Sequence, residues 1–111
     1  MEYNEIMNLR KSIRKYQNKP VDEALVRQMI EAAILAPSWK NSQVTRYYVA
    51  QTVEMREKVN ACLAPFNQNN VINAPVLIVS TIVLNRSGFD KDGTQTNELG
   101  NGWGYYDCGL H

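Results

Sequence analysis

Neither sign of charge predominates in this sequence: 12 Lys plus Arg face 11 Asp plus Glu, leaving a net charge of +1. The broad electrostatic footprint of a nucleic-acid-binding domain is missing, so any basic feature is local. Histidine is nearly absent too, and His111, alone at the chain end, is assigned no catalytic role. Two cysteines, Cys62 and Cys108, fit no zinc, redox or disulfide spacing and read as free thiols of a cytoplasmic protein. The N-terminus has no apolar run of signal-peptide length. The longest apolar stretch, Val76 to Leu84, is broken by Ser80 and Thr81 and is less than half the ~20 residues of a membrane helix. G-x-G-x-x-G, P-loop and H-E-x-x-H patterns are also missing, and neither Ser38 nor Cys108 has a histidine placed to activate it. The sequence therefore offers no acid, base, nucleophile or metal-ligand set.

What is present fits one domain of 111 residues. Tyr3, Ile6, Met7 and Leu9 follow helical spacing, predicting a short helix over 2–10 that delivers Arg10 at its end. Pro20 and Asp22 start a second helix, with Leu25, Val26, Met29, Ile30 and Ala33 on one face, stopping near Ala36 ahead of Pro37. Tyr47 to Ala50 reads as a strand, and Thr52 caps a third helix that Pro65 ends. Val76 to Val83, continuously apolar and β-branched, predicts a central strand covered on both faces. From Asn85 to Gly102 no periodicity survives, the composition of a lid or a disordered segment. A last helix begins near Trp103, and its abrupt end at His111 predicts the front portion of a longer protein.

Three stretches carry candidate chemistry. In Arg10-Lys11-Ser12-Ile13-Arg14-Lys15-Tyr16, an extended backbone sends Arg10, Ser12 and Arg14 to one side. Guanidinium groups bind phosphate bidentately and a hydroxyl adds a donor, so the run is either a phosphate cradle or a solvated charged face. Ala36 to Gln43 is either an ordinary helix-ending turn or a loop whose Asn41 or Gln43 meets a heterocycle's edge while Trp39 covers its face. Asn67, within Phe66-Asn67-Gln68-Asn69-Asn70, either binds a ligand amide or sits in a polar loop.

In this order the segments resemble the nitroreductase family of FMN-dependent NAD(P)H oxidoreductases. The pieces are R-x-S-I-R-x-Y (Arg10, Ser12, Ile13, Arg14, Tyr16), Pro20-Val21, and A-P-S-x-x-N-x-Q (Ala36, Pro37, Ser38, Asn41, Gln43). Phe66-Asn67, Ala74-Pro75 and W-x-x-x-D-x-G (Trp103, Asp107, Gly109) follow. The resemblance implies an α+β, three-layer fold with a central, mostly antiparallel sheet flanked by helices, cut short at the C-terminus. It implies a homodimer with FMN at the interface and NAD(P)H as electron donor. Hydride would pass through flavin N5 to a nitroaromatic, quinone or similar acceptor.

The cofactor-binding set implied is Arg10, Lys11, Ser12, Arg14 and Asn67 from one subunit, with Ser38 and Asn41 from its partner. Arg10 and Ser12 would hold the phosphate, and Arg14 would lie near the pyrimidine edge, where a cation favours the reduced, anionic flavin. The competing functions are a non-catalytic module that binds flavin or another phosphorylated ligand, and a small nucleic-acid surface.

Overall fold

Side-chain caps and prolines decide where the helices of this chain begin. The computed structural model covers residues 1–111. Helix α1 (Tyr3–Leu9) opens with the Glu5 carboxylate accepting the Glu2 N–H at 3.0 Å. Helix α2 (Glu23–Ala33) opens with Asp22 accepting from the Ala24 N–H at 2.9 Å. Helix α3 (Val53–Ala61) opens with Thr52 accepting from the Met55 N–H at 3.2 Å. Each cap satisfies a donor that the first helical turn would otherwise leave orphaned. Helix α2 stops at Ala33, three residues short of the expected Ala36, because residues 34–36 already form a turn ahead of Pro37.

One expectation is overturned in the next segment. Pro65 does not simply end α3, which already stops at Ala61; it starts helix α4 (Pro65–Val71) from its first turn. Proline has no N–H to lose there and a ring that presets the helical φ. Asn67 and its neighbouring amides are therefore helical, not loop.

The chain divides into two compact units, residues 1–20 with 51–77 and residues 21–50 with 78–111. In the first unit α3 packs on α4, and the Arg56 guanidinium donates to the Ala74 carbonyl at 3.0 Å, tying α3 to the segment that follows α4. The second unit holds a two-stranded sheet of β1 (Thr45–Ala50) and β2 (Leu77–Ile82). The Val83 N–H donates to the Val44 carbonyl at 2.9 Å, setting the start of β1 beside the end of β2, so the pair is antiparallel.

Helix α5 (Gly102–Leu110) lies against β1 and can do so closely because Gly104 faces the sheet. A Cβ there would stand 3.0 Å from the Ile82 Cδ1 and 3.7 Å from Val44 Cγ2. Val26, Val44 and Ala50 are the buried apolar side chains of this unit. The continuous cover expected over both faces of β2 is not supplied by this chain: Ile78 is 40% and Val79 38% exposed. Burial of a strand on two sides needs a layer on each, and α5 provides one.

The aperiodic stretch before α5 is neither disordered nor a free lid. Asn85 and Asn101 clasp one another, the Asn101 Oδ1 accepting the Asn85 N–H at 2.7 Å and the Asn101 amide donating to Asn85 Oδ1 at 3.1 Å. The Gly88 carbonyl accepts both the Thr96 N–H at 3.0 Å and its hydroxyl at 2.8 Å. Phe89 and Gln95 form an antiparallel bridge. Side chain-to-backbone bonds thus replace a regular ladder, which is why no periodicity announces them. No helix is long and apolar enough to cross a membrane.

Candidate functional site

The basic run follows directly from the end of α1. Arg10 is its C-cap, with extended dihedrals (φ −60, ψ 126), so the chain leaves the helix in the geometry that period-two spacing requires. Residues 10–20 then carry no regular structure, and Arg10, Lys11, Ser12 and Arg14 are all exposed. The three ion pairs of the protein, Arg27–Glu23, Lys40–Asp90 and Lys58–Glu54, leave the cations of this run unused. Asn67, in the same unit, is exposed on the first turns of α4.

Ser38 and Asn41 belong to the second unit, on a loop that is tightly built. Residues 39–41 form a single 3₁₀ turn in which the Asn41 N–H donates to the Ser38 carbonyl at 3.0 Å. Lys40, Asn41 and Gln43 all have positive φ, at 46, 53 and 52. Side-chain-bearing residues rarely adopt that region, and each costs on the order of 1 kcal/mol unless its surroundings enforce it. Several bonds do the enforcing. The Ser38 Oγ accepts the Gln43 N–H at 2.9 Å, closing the loop across its base and leaving the Ser38 hydroxyl proton free to donate outward. The Ser42 hydroxyl donates to the Trp39 carbonyl.

The remaining anchor comes from far along the chain. Both carboxylate oxygens of Asp107, on α5, accept the Trp39 N–H at 3.1 Å. Asp107 is 2% exposed, and the Ser87 hydroxyl, itself 1% exposed, donates to it at 2.5 Å. A buried carboxylate is tolerable only when hydrogen-bonded in this way. The Trp39 and Trp103 rings pack against one another, centroids 6.3 Å apart. The sequence placed Asp107 in W-x-x-x-D-x-G without a role, and the structure gives it these contacts.

Two hollows flank the loop. Asn41 lines one of about 270 Å³ with Gln43, Thr45, Arg46 and His111. Trp39, Lys40 and Ser42 line the other, of about 470 Å³, with Arg86, Phe89 and Lys91. The Lys40 ammonium lies 4.7 Å from the centre of the Trp39 ring and 4.0 Å from Asp90 Oδ1. Within this unit a cation over an indole ring thus borders the larger hollow.

The nitroreductase family model matches residues 8–75. An NADH dehydrogenase of Thermus thermophilus is 40% identical over 70 residues, which are 63% of this chain and 33% of that protein. A nitroreductase-type protein of Exiguobacterium sibiricum, solved in complex with FMN, is 35% identical over 72% of this chain and 38% of its own, with a TM-score of 0.64. A nitroreductase family protein of Clostridium difficile matches 99% of this chain with 57% of its own, at a TM-score of 0.73 and 24% identity, a likeness of fold. The chain thus spans about a third to two fifths of the length of curated relatives it matches.

Proposed function

Because this chain belongs to the nitroreductase family, we propose that it serves an FMN-dependent NAD(P)H oxidoreductase and contributes residues to the flavin site. The observation that carries this reading is the unspent cationic run: Arg10, Lys11 and Arg14 are exposed and engaged in none of the ion pairs of the protein. What sets the run apart is its density, since three cations and a hydroxyl within five residues suit a phosphate. The FMN-bound Exiguobacterium protein supports the same ligand.

The donor set fits FMN. Arg10 and Ser12 would hold the phosphate with Lys11 adding to the binding set, Arg14 and Asn67 would meet the polar edge of the ring, and Ser38 and Asn41 would approach from a second copy of the chain. The Ser38 hydroxyl keeps its proton for that purpose, since its oxygen is occupied by Gln43. When bound, FMN supplies the redox chemistry, taking hydride from NAD(P)H and delivering electrons to a nitroaromatic, quinone or similar acceptor. The chain's own part is to bind, to orient and to place positive charge where negative charge accumulates.

FMN titration of the purified chain, followed by NAD(P)H oxidation with a nitroaromatic or quinone, tests the proposal. We expect flavin uptake, weakened about tenfold to a hundredfold by Arg14→Ala with a more negative flavin potential, since a hydrogen bond to a charged group contributes about 1.5 to 3 kcal/mol. Failure to take up FMN would sink the reading. Uptake without NAD(P)H oxidation selects the non-catalytic binding module instead.

A further inference from the structure

We infer that Asp107 is a positioning residue for the flavin site, setting the loop that carries Ser38 and Asn41; the inference rests on the functional reading above. Its reach runs through a chain of contacts. Helix α5 is fixed to the sheet by the close approach of Gly104 to Ile82 and Val44. That seats Asp107 in the interior, where it is 2% exposed. Its two oxygens take the Trp39 N–H, and Ser87 donates to the same carboxylate, holding it in one orientation. Trp39 opens the 3₁₀ turn and immediately precedes Lys40 and Asn41, both at positive φ. Gln43, also at positive φ, closes back on Ser38.

A loop with three such residues in four positions has a strong tendency to relax toward ordinary dihedrals, and local bonds alone span only positions 38–43. The Asp107 contact, 68 residues away in sequence, refers the loop to the sheet. Without it, the Trp39 N–H is left unpaired beside the interior and the turn is free to rotate, carrying Asn41 and the Ser38 hydroxyl off their mark. Asp107 itself touches no ligand in this scheme; it acts through the backbone of Trp39.

The test uses the whole chain and reads two quantities, hydrogen exchange at the amides of residues 39–43 and the FMN dissociation constant. The wild type is titrated first: absence of FMN uptake removes the functional reading, and the positioning role with it, before any variant is read. Given uptake, Asp107→Ala is expected to expose the Trp39 amide to exchange and to weaken FMN about tenfold. Asp107→Asn keeps a carbonyl oxygen for Trp39 and should restore affinity to within about twofold, whereas Asp107→Glu, longer by a methylene, should not.

Asn41→Ala supplies the readout that a merely structural role would leave unmoved. If Asp107 works through this loop, the double variant is no weaker than Asp107→Ala alone, and the two effects overlap. Effects that multiply would overturn the inference, as would Asp107→Glu or a folded Asp107→Ala binding FMN like the wild type. Should Asp107→Ala fail to fold, the Asn and Glu variants decide by the same criterion.

Discussion

Two buried polar groups in the second unit stand in opposite situations. The Asp107 carboxylate receives donors from Trp39 and Ser87, whereas the Tyr47 hydroxyl oxygen is buried with no partner. Burial, and secondarily the nearby Cys108 thiol, push the Tyr47 phenol above its ordinary 10.0. The fold thus favours the neutral phenol: the contribution is intact below pH 10.0 and is lost as pH rises through the higher folded value. Tyr47→Phe should raise stability at neutral pH by about 1 kcal/mol, because an unpaired buried hydroxyl is removed. It should also flatten the alkaline fall, and thermal melts between about pH 9 and 11 check both. A variant less stable than the wild type would show that the hydroxyl has a partner. At this scale residue types and spacing singled out Arg10, Ser12, Arg14, Asn41, Gln43 and Asn67 as candidates, and the family resemblance added Lys11 and Ser38. Asp107 stood in the W-x-x-x-D-x-G pattern without a role, because the partners that give it one lie 20 and 68 residues away.

Among the elements, the pinned stretch between β2 and α5 makes the sharpest demand on sequence. Gly88 has φ +84, and a Cβ on it would sit 2.2 Å from the Gly100 carbonyl oxygen and 2.7 Å from Trp103 Cδ1. Gly93 has nearly the same φ, +86, but open space around it. Alanine at Gly93 should cost about 1 kcal/mol from the dihedral alone, while alanine at Gly88 should cost about 3 kcal/mol or more, adding a backbone clash. Denaturant melts of the two variants separate the contributions, and equal losses would contradict the close packing of the stretch on α5. Elements with caps and periodicity were readable to within a few residues: α1, α2, α3, both strands and α5. Helix α4 was not, because its amide-rich surface has neither apolar period nor strong propensity, and proline reads equally as a stop or a start. Nor were the turns of residues 84–101, whose order resides in individual bonds.

For the molecule as a whole, the surface is the telling quantity. Each unit leaves large apolar side chains in water: Tyr3, Met7 and Leu9 on α1, Phe66 on α4, and Tyr105 and Tyr106 on α5 are all exposed. Such faces favour association. We expect the chain to sediment as an oligomer at micromolar concentration, and added FMN at about 100 times its dissociation constant to stabilise it by about 2.7 kcal/mol. A monomer whose melting temperature ignores FMN would contradict both. The apolar run of β2 led the sequence to promise burial on both faces, whereas residues 78–80 of the strand stay exposed.

The span between Trp39 and its anchor also has a temporal meaning. With Asp107 68 residues downstream, synthesis at about 5 to 20 residues per second leaves the Ser38–Gln43 loop without that hold for about 3 to 14 seconds. During that interval only the bonds within residues 38–43 keep its three left-handed residues in place. The loop is thus among the first parts of the second unit to be made and among the last to be set.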